Sequence, residues 1–126
     1  MVIGIGTDIV KVARFNGMTT RFMERVFTAD ERVYLMGKNN VSAAGLYAAK
    51  EAVAKALGTG FRGFWPNQIE ILHDVLGKPY VVLHGEAARV ARKKSKRRFY
   101  RRYKIHLSIS HTNTDAVASA VICVKS

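Results

Sequence analysis

The feature that most constrains the fold is an alanine-rich stretch near the middle of the chain. Residues 42–57 consist mainly of strong helix formers, and Gly58 after them supplies a natural helix stop. Glu51 and Lys55 lie one turn apart on one face of this helix. The apolar residues share another face: Leu46, Ala49, Val53, Ala56 and Leu57. The pattern predicts one long helix with an apolar face and a charged face.

Strand-like segments stand on both sides of this helix in the sequence. Residues 2–6 are apolar with glycine interleaved, and they predict a short buried strand whose end delivers Asp8. Four further strands are predicted at residues 68–72, 80–83, 106–110 and 116–124. A turn signal separates the first two of these four, so they are expected to form a hairpin, with the first of them half-buried.

Three shorter helical segments complete the pattern. Residues 10–26 are loosely helical, with basic side chains at helical spacing. Thr28 and Glu31 have the spacing of a capping box, so a helix is expected to begin at Ala29. Residues 85–98 also predict a helix. The order of elements predicts an α+β domain with a mainly antiparallel sheet packed with helices.

A chain of 126 residues is long enough for one compact domain, and we expect residues 1–126 to form it. Its longest apolar runs fall well short of the roughly 20 residues that a helix needs to cross a bilayer. No basic leader or cleavage site precedes Asp8, so a secretory signal is not expected. The one cysteine, Cys123, cannot form an internal disulfide. These features favour a cytoplasmic protein without a membrane span.

The net charge of +12 is concentrated in one segment. Ten basic residues and no acid lie between residues 89 and 104, so the rest of the chain carries only +2. Within residues 92–103, three aromatics are interleaved with arginines and could stack bases, as single-strand binders do. A solvated helix face and loop is the plainer alternative. The rival interpretation is therefore a small nucleic-acid-binding module without catalysis, whose binding weakens steeply with salt and needs no metal.

Two carboxylates from separate elements suggest a cation site. Asp8 follows the first strand and Glu51 lies in the long helix, each beside small or apolar residues. Carboxylate oxygens suit Mg²⁺, which usually takes one or two carboxylates, several waters and the phosphates of a substrate. As an alternative, each acid is an ordinary surface residue, and Glu51 with Lys55 is a helical pair that contributes only about 0.2–0.5 kcal/mol. Spacing alone leaves both interpretations open.

Four motifs taken together favour the metal site. They are Gly-Ile-Gly-Thr-Asp-Ile-Val at residues 4–10, Ala-Ala-Lys-Glu-Ala-Val-Ala-Lys-Ala-Leu-Gly-Thr-Gly at 48–60, Gly-Lys-Pro at 77–79 and Ser-Ile-Ser-His-Thr at 108–112. In identity, order and spacing they resemble the holo-acyl-carrier-protein synthase family, and the resemblance covers nearly the whole chain. The combination of the second and fourth motifs is specific to the phosphopantetheinyl transferase superfamily.

The resemblance implies the 4'-phosphopantetheinyl transferase fold and an enzyme that moves phosphopantetheine from coenzyme A to a serine of an apo acyl carrier protein. Asp8 and Glu51 match the family's magnesium ligands. Lys55 matches a lysine that contacts the coenzyme phosphates, and His111 matches a histidine that reaches them from a neighbouring subunit of a homotrimer. Backbone amides would approach the nucleotide at the turn formed by Gly58, Thr59 and Gly60.

The expected mechanism follows from charge. The carrier serine attacks the β-phosphorus and adenosine 3',5'-bisphosphate leaves, while Mg²⁺ and Lys55 neutralise the developing negative charge. Glu51, or a water that Glu51 orients, is the first candidate for the base that removes the serine proton. The catalytic candidates are thus Glu51, Lys55 and His111.

The resemblance also implies a docking surface for the acidic carrier protein on the segment after the first strand. Apolar side chains lie between arginines there, and the matching residues are Arg14, Met18, Arg21, Phe22 and Arg25. A plain surface with snorkelling arginines is the alternative. Attraction of the basic segment to the carrier protein or to the coenzyme phosphates is another interpretation of that segment.

One departure from the family pattern precedes the second motif. Many members have an arginine before the aromatic residue there, whereas this chain has Leu46 before Tyr47. Lys50 and Arg62 are the candidates to replace that arginine. A superfamily member that serves a specialised carrier protein of secondary metabolism also agrees with the motifs, although the short length favours the fatty-acid type.

Overall fold

The computed structural model describes residues 1–97 and 102–125. The helices in this part of the chain are α1 (Thr20–Val26), α2 (Ala29–Leu35), α3 (Asn40–Leu57) and α4 (Gly85–Lys96). The strands are β1 (Val2–Lys11), β2 (Ile69–His73), β3 (Pro79–Leu83), β4 (Arg102–His111) and β5 (Asp115–Lys125). Short 3₁₀ turns occur at Val12–Phe15 and Pro66–Gln68.

The strand pairs of the described residues are all antiparallel, which confirms the predicted α+β class. β1, β5 and β4 form a three-stranded sheet in that order, and β2 and β3 form a separate hairpin. α3 lies across one face of the larger sheet and also contacts β2. None of the helices in the described ranges combines the length and apolarity that crossing a membrane requires.

α3 is the centre of the core and confirms the helix predicted over residues 42–57. Asn39 caps it by accepting a hydrogen bond from the Val41 N–H at 3.1 Å, and Gly58 ends it with a left-handed φ of 87°. Between residues 43 and 57 every side of the helix is buried except at Glu51 and Lys55. The sheet can approach closely because its central strand presents small residues: Ala116, Ala118 and Ala120.

β1 packs directly against α3 through two glycines. A methyl group on Gly4 would overlap the carbonyl oxygen of Ala56, and one on Gly6 would overlap the carbonyl oxygen of Ala52. The backbones of the strand and the helix are therefore in contact, which only glycine permits at these positions. Asp8 occupies the next position on the same face of β1.

A buried ion pair joins α3 to the hairpin and to α2. Lys50 and Glu31 are fully buried, with Lys50 Nζ 2.7 Å from Glu31 Oε1. The same ammonium donates to the carbonyl oxygens of Ile69 at 2.6 Å and Pro66 at 3.1 Å, and Glu31 Oε2 accepts the Ile71 N–H at 2.8 Å. Burial lowers the pKa of Lys50, opposed by the charge of Glu31. Removing one partner from such a pair costs about 3–5 kcal/mol.

Two expectations about the first strand are wrong. β1 continues to Lys11 because β5 pairs with it as far as Asp115, so Asp8 lies inside the strand and not at its end. The strand is also buried on one face only. Ile5 and Ile9 point to the outer face of the sheet, where they are 73% and 68% exposed.

The helix predicted over residues 10–26 is also wrong in its first half. That half is the end of β1 and a 3₁₀ turn, and only α1 is α-helical. Thr19 fixes the start of α1, since its hydroxyl accepts a hydrogen bond from the Phe22 N–H at 3.1 Å. Gly17 breaks the preceding segment with a φ of 66°.

The other predictions are confirmed with shifted ends. The capping box of Thr28 and Glu31 is formed, and α2 begins at Ala29. The helix predicted over residues 85–98 ends at Lys96, and residue 98 lies outside the described residues. The hairpin and the last two strands are present, although β2 is more buried than expected. Its Glu70 is 7% exposed and accepts hydrogen bonds from the Thr28 hydroxyl and from His84.

Gly6→Ala should destabilise the fold by at least about 2 kcal/mol, because the added methyl group collides with backbone that cannot move aside. Gly45→Ala is the matched control. Its methyl group would lie 3.3 Å from a side-chain atom of Ile109, and alanine gains about 1 kcal/mol of helix propensity. Urea unfolding at neutral pH measures both. Equal stability of Gly6→Ala and the native chain would contradict the backbone contact.

Candidate active site

Asp8 and Lys55 form an ion pair at the edge of the contact between β1 and α3. Lys55 Nζ lies 3.0 Å from Asp8 Oδ1 and donates a second hydrogen bond to the carbonyl oxygen of Thr7 at 3.0 Å. The Asp8 side chain is 17% exposed and the Lys55 side chain 50% exposed. The lysine thus bridges to the strand and engages only one of the two carboxylate oxygens of Asp8.

Glu51 lies on the turn of α3 that faces Asp8. Gly4 contacts Ala56, and Gly6 contacts Ala52. A step of two residues forward along β1 therefore corresponds to a step of about one helical turn back along α3. A two-residue strand step of about 6.7 Å and a helical turn of about 5.4 Å are similar in length. The next step therefore places Asp8 beside the turn that carries Glu51, which is half-buried. This alignment sets the two predicted metal ligands on facing segments of β1 and α3.

Tyr47 contacts Glu51 from the preceding turn, although the sequence analysis did not select it. Burial raises the pKa of Tyr47, and the charge of Glu51 and a hydrogen bond to its carboxylate raise it further. Arg14 lies over the ring, 4.9 Å from its centroid, and donates to the hydroxyl at 3.5 Å. The four-residue spacing of Tyr47 and Glu51 on a helix was the available signal.

The glycines in the turn after α3 adopt left-handed backbone conformations. Gly58 and Gly60 have φ values of 87° and 57°. Their N–H groups donate to carbonyl oxygens of α3, at 2.9 Å to Lys55 and at 3.1 Å to Ala54. The Thr59 hydroxyl donates to the Gly60 carbonyl oxygen at 2.8 Å. Residues 58–60 therefore carry no bulky side chain, and they follow Lys55 at the end of α3.

The structure excludes one of the two proposed substitutes for the family arginine. The suggestion that Lys50 contacts a phosphate is wrong, because its ammonium group is fully buried against Glu31. Arg62 is exposed and its Nε donates to the Thr59 carbonyl oxygen at 3.1 Å, so its guanidinium lies at the glycine turn. Lys94 also reaches this turn from α4, with its Nζ 3.7 Å from where a methyl group on Gly58 would lie.

His111 lies away from the carboxylates in one copy of the chain. It stands near the end of β4, opposite Ala116, and lines a pocket of about 200 Å³ between α2, α3 and the hairpin. Tyr34 and His73 also line this pocket and stack with ring centroids 4.2 Å apart. Among the described residues that line it, none is Asp8, Glu51 or Lys55. Asp8 and Lys55 are therefore paired, Glu51 lies on the adjoining turn of α3, and His111 lines a different pocket.

The predicted docking residues divide into two groups. Arg14, Met18 and Phe22 line one hollow of about 270 Å³ beside the start of α1. Arg25 lies over the ring of Trp65, 5.6 Å from its centroid, and Arg21 is exposed. The expectation of one helical stripe is corrected here, since Arg14 belongs to the 3₁₀ turn and Met18 precedes α1.

In the basic segment, residues 89–96 belong to α4 and present a cationic face, whereas residues 102–104 begin β4. Side chains of the basic segment line a groove of about 440 Å³: Arg89, Arg92, Lys93, Lys96 and Arg97. Of the three aromatics proposed to stack bases, Tyr103 is half-buried and packs against the core. Phe99 and Tyr100 lie outside the described residues. Tyr103 is thus a packing residue, which weakens the nucleic-acid interpretation.

Hard oxygen ligands at this site are limited to Asp8 and Glu51. Within residues 1–97 and 102–125, no group of three or more His, Cys, Asp or Glu side chains converges as a metal site. Two carboxylates with a flanking lysine suit a small hard cation that also binds phosphate oxygens of a substrate. They are too few to bind such a cation through protein ligands alone.

Comparisons with known proteins agree with this geometry. Residues 4–117 match the family described as the 4'-phosphopantetheinyl transferase superfamily. A holo-[acyl-carrier-protein] synthase of Clostridium beijerinckii is 44% identical, over 97% of this chain and 98% of that protein. The enzyme of the same name from Clostridium novyi is 46% identical, over 97% of this chain and 88% of that protein.

Solved structures give the same result. A crystal structure of a holo-(acyl-carrier-protein) synthase from Bacillus anthracis in complex with CoA (3',5'-ADP) has a TM-score of 0.76 and 35% identity, covering 97% of this chain and 96% of that one. The holo-ACP-synthase structure from Plasmodium yoelii has a TM-score of 0.82 and 31% identity, covering 100% of this chain and 98% of that one.

Proposed function

The chain belongs to the 4'-phosphopantetheinyl transferase superfamily, and we propose on this premise that it acts as a holo-acyl-carrier-protein synthase. It transfers the 4'-phosphopantetheine group of coenzyme A to a serine of apo acyl carrier protein and releases adenosine 3',5'-bisphosphate. The observation that carries the proposal is the ion pair of Asp8 and Lys55 at the β1–α3 contact, with Glu51 on the adjoining turn of α3. The continuous core around α3 supports one catalytic domain over the 126 residues.

Mg²⁺ is the metal that this donor set fits. Asp8 and Glu51 would hold it, because both offer hard oxygens and Lys55 engages only one oxygen of Asp8. When bound, the ion supplies positive charge that stabilises phosphate oxygens during transfer. Two protein ligands suffice for Mg²⁺, since it usually keeps several waters and takes the rest of its ligands from the substrate.

Lys55 and Glu51 have separate roles in the transfer. The half-exposed ammonium of Lys55 can turn from Asp8 to the coenzyme phosphates, where it offsets the charge that develops as the bond to adenosine bisphosphate breaks. Glu51 is the candidate base for the carrier serine, directly or through a water that it orients. The small turn of Gly58, Thr59 and Gly60 leaves room for the coenzyme beside them.

His111 enters the site from a second copy of the chain. It lines two pockets, and neither Asp8 nor Glu51 is among the described residues that line them, which supports its contribution to the site of another copy. The outer face of the larger sheet carries exposed apolar side chains at Val2, Ile5, Ile9 and Val117. Such a face is a candidate interface. A homotrimer joined through these faces, with a site at each boundary, is the assembly that we propose.

The acidic carrier protein docks on the hollow beside α1. Arg14 supplies charge there, while Met18 and Phe22 supply apolar contact. Exposed Arg21 extends the positive surface, and Arg25 is held by Trp65. Complementary charge of this kind directs association and orientation.

Mass spectrometry of an apo carrier protein tests the function. Incubation with the chain, coenzyme A and Mg²⁺ should add one phosphopantetheine group to the carrier. Glu51→Gln should lower kcat by roughly 100-fold, because it removes a charged ligand from the metal and the candidate base. Glu86→Gln is the matched control, since Glu86 is paired with Arg89 on α4 and should keep full activity. No transfer by the native chain to any of several carrier proteins would contradict the proposal.

The docking surface is tested by charge reversal. Arg21→Glu should raise KM for the carrier protein by roughly 10-fold and leave kcat near its native value, because it repels the partner without touching the reacting groups. Arg92→Glu on the basic face of α4 is the comparison and should leave KM within about twofold. A larger effect of Arg92→Glu than of Arg21→Glu would place the carrier on α4 instead.

The assembly is tested by light scattering after gel filtration. The native chain should have the mass of a trimer, and Ile5→Lys should give monomers without transferase activity, since a buried lysine cannot be accommodated in an apolar interface. Val33→Lys, at an equally exposed apolar position of α2, should remain trimeric. A monomeric native chain with full activity would refute the shared site.

A further inference from the structure

Tyr47 is a buried polar residue to which the transfer mechanism gives no role. It is 8% exposed and its ring is held from two sides, with centroids 5.5 Å from Phe15 and 6.5 Å from Phe61. A phenylalanine would fill the same space. The hydroxyl group is therefore the part of Tyr47 that packing does not explain.

This hydroxyl stands between two charged groups of the proposed function. Arg14, on the docking surface, donates to it at 3.5 Å and lies over the ring at 4.9 Å. Glu51 lies one helical turn further along α3, the spacing at which helical side chains are neighbours, and its carboxylate interacts with this hydroxyl. A phenol is protonated at neutral pH and an ionised carboxylate can only accept, so the hydroxyl is the donor towards Glu51.

We propose that Tyr47 is a positioning residue, whose hydroxyl fixes the Glu51 carboxylate in the orientation that binds the metal, and that Arg14 fixes Tyr47 in turn. The inference rests on the proposed function of the site. It connects the surface that receives the carrier protein to a metal ligand by one chain of contacts, Arg14 to Tyr47 to Glu51.

The physical reason is the number of conformations available to Glu51. A glutamate on a helix has three rotatable bonds, and Glu51 is only half-buried, so packing alone does not fix it. A hydrogen bond from an immobile phenol removes most of this freedom. Removal of a group that orients a metal ligand in this way commonly lowers metal affinity or activity by about 10- to 100-fold.

Mn²⁺ binding in the absence of carrier protein tests Tyr47 without relying on activity. Free Mn²⁺ is followed by electron paramagnetic resonance while the native chain, Tyr47→Phe or Tyr103→Phe is added with coenzyme A. Tyr47→Phe should bind Mn²⁺ roughly 10-fold more weakly. Tyr103→Phe is the control, because it removes a partly buried hydroxyl on β4 far from Glu51 and should match the native chain. Mn²⁺ affinity of Tyr47→Phe within about twofold of the native value would overturn the proposal.

Steady-state kinetics separate positioning from docking. Tyr47→Phe should lower kcat while KM for the carrier protein stays near its native value, since the docking surface is intact. If the native chain transfers nothing to any carrier, the proposed function fails, yet the Mn²⁺ titration still decides the role of Tyr47. A Tyr47→Phe variant with weaker carrier binding and native Mn²⁺ affinity would make Tyr47 a docking residue only.

A double-mutant cycle tests the contribution of Arg14. Arg14→Met also changes the charge near the metal. That electrostatic effect acts through space, so it is present in the native chain and in Tyr47→Phe alike. An effect that acts through the Tyr47 hydroxyl is absent from the Tyr47→Phe background. The effect of Arg14→Met on Mn²⁺ affinity should therefore differ by at least about twofold between the native and Tyr47→Phe backgrounds. Arg21→Met, at an exposed arginine of the same surface, should have the same effect in both backgrounds. Equal effects of Arg14→Met in both backgrounds would remove Arg14 from the chain of contacts.

Discussion

The contact between the glycines of β1 and the backbone of α3 is the constraint on which the rest of the structure depends. A side chain at Gly4 or Gly6 would collide with a carbonyl oxygen of the helix, so strand and helix approach as closely as their backbones allow. This approach brings Asp8 within reach of Lys55 and places it beside the turn that carries Glu51. The position of the candidate metal site is thus a consequence of backbone packing.

The buried pair of Lys50 and Glu31 fixes α3 from the opposite side. Lys50 is the neighbour of Glu51 in sequence, yet its side chain points away from the site and is bound to the hairpin and to α2. Breaking this pair would leave an unpaired charge in the core. Consecutive residues of one helix therefore differ: Lys50 holds the helix in place, and Glu51 belongs to the proposed metal site.

The motifs predicted much of this arrangement. The helix over residues 42–57, its glycine stop and the capping box at Thr28 depend on local propensity and hydrogen bonding, which a single sequence reveals. The length of β1 and the pairing of Lys55 with Asp8 depend on contacts between distant residues, so the local pattern misplaced the strand end. Tyr47 was missed because its contact with Arg14 joins residues that are distant in the sequence.

The central claim is that Asp8 and Glu51 together bind one divalent cation at the β1–α3 contact. Crystals grown with Mn²⁺ and coenzyme A test it most directly, because the anomalous scattering of manganese locates the ion independently of the protein density. The account predicts one strong peak per chain, bound by an oxygen of Asp8, an oxygen of Glu51 and the phosphates of the coenzyme. A peak that contacts only one of these carboxylates, or that lies elsewhere, would contradict it.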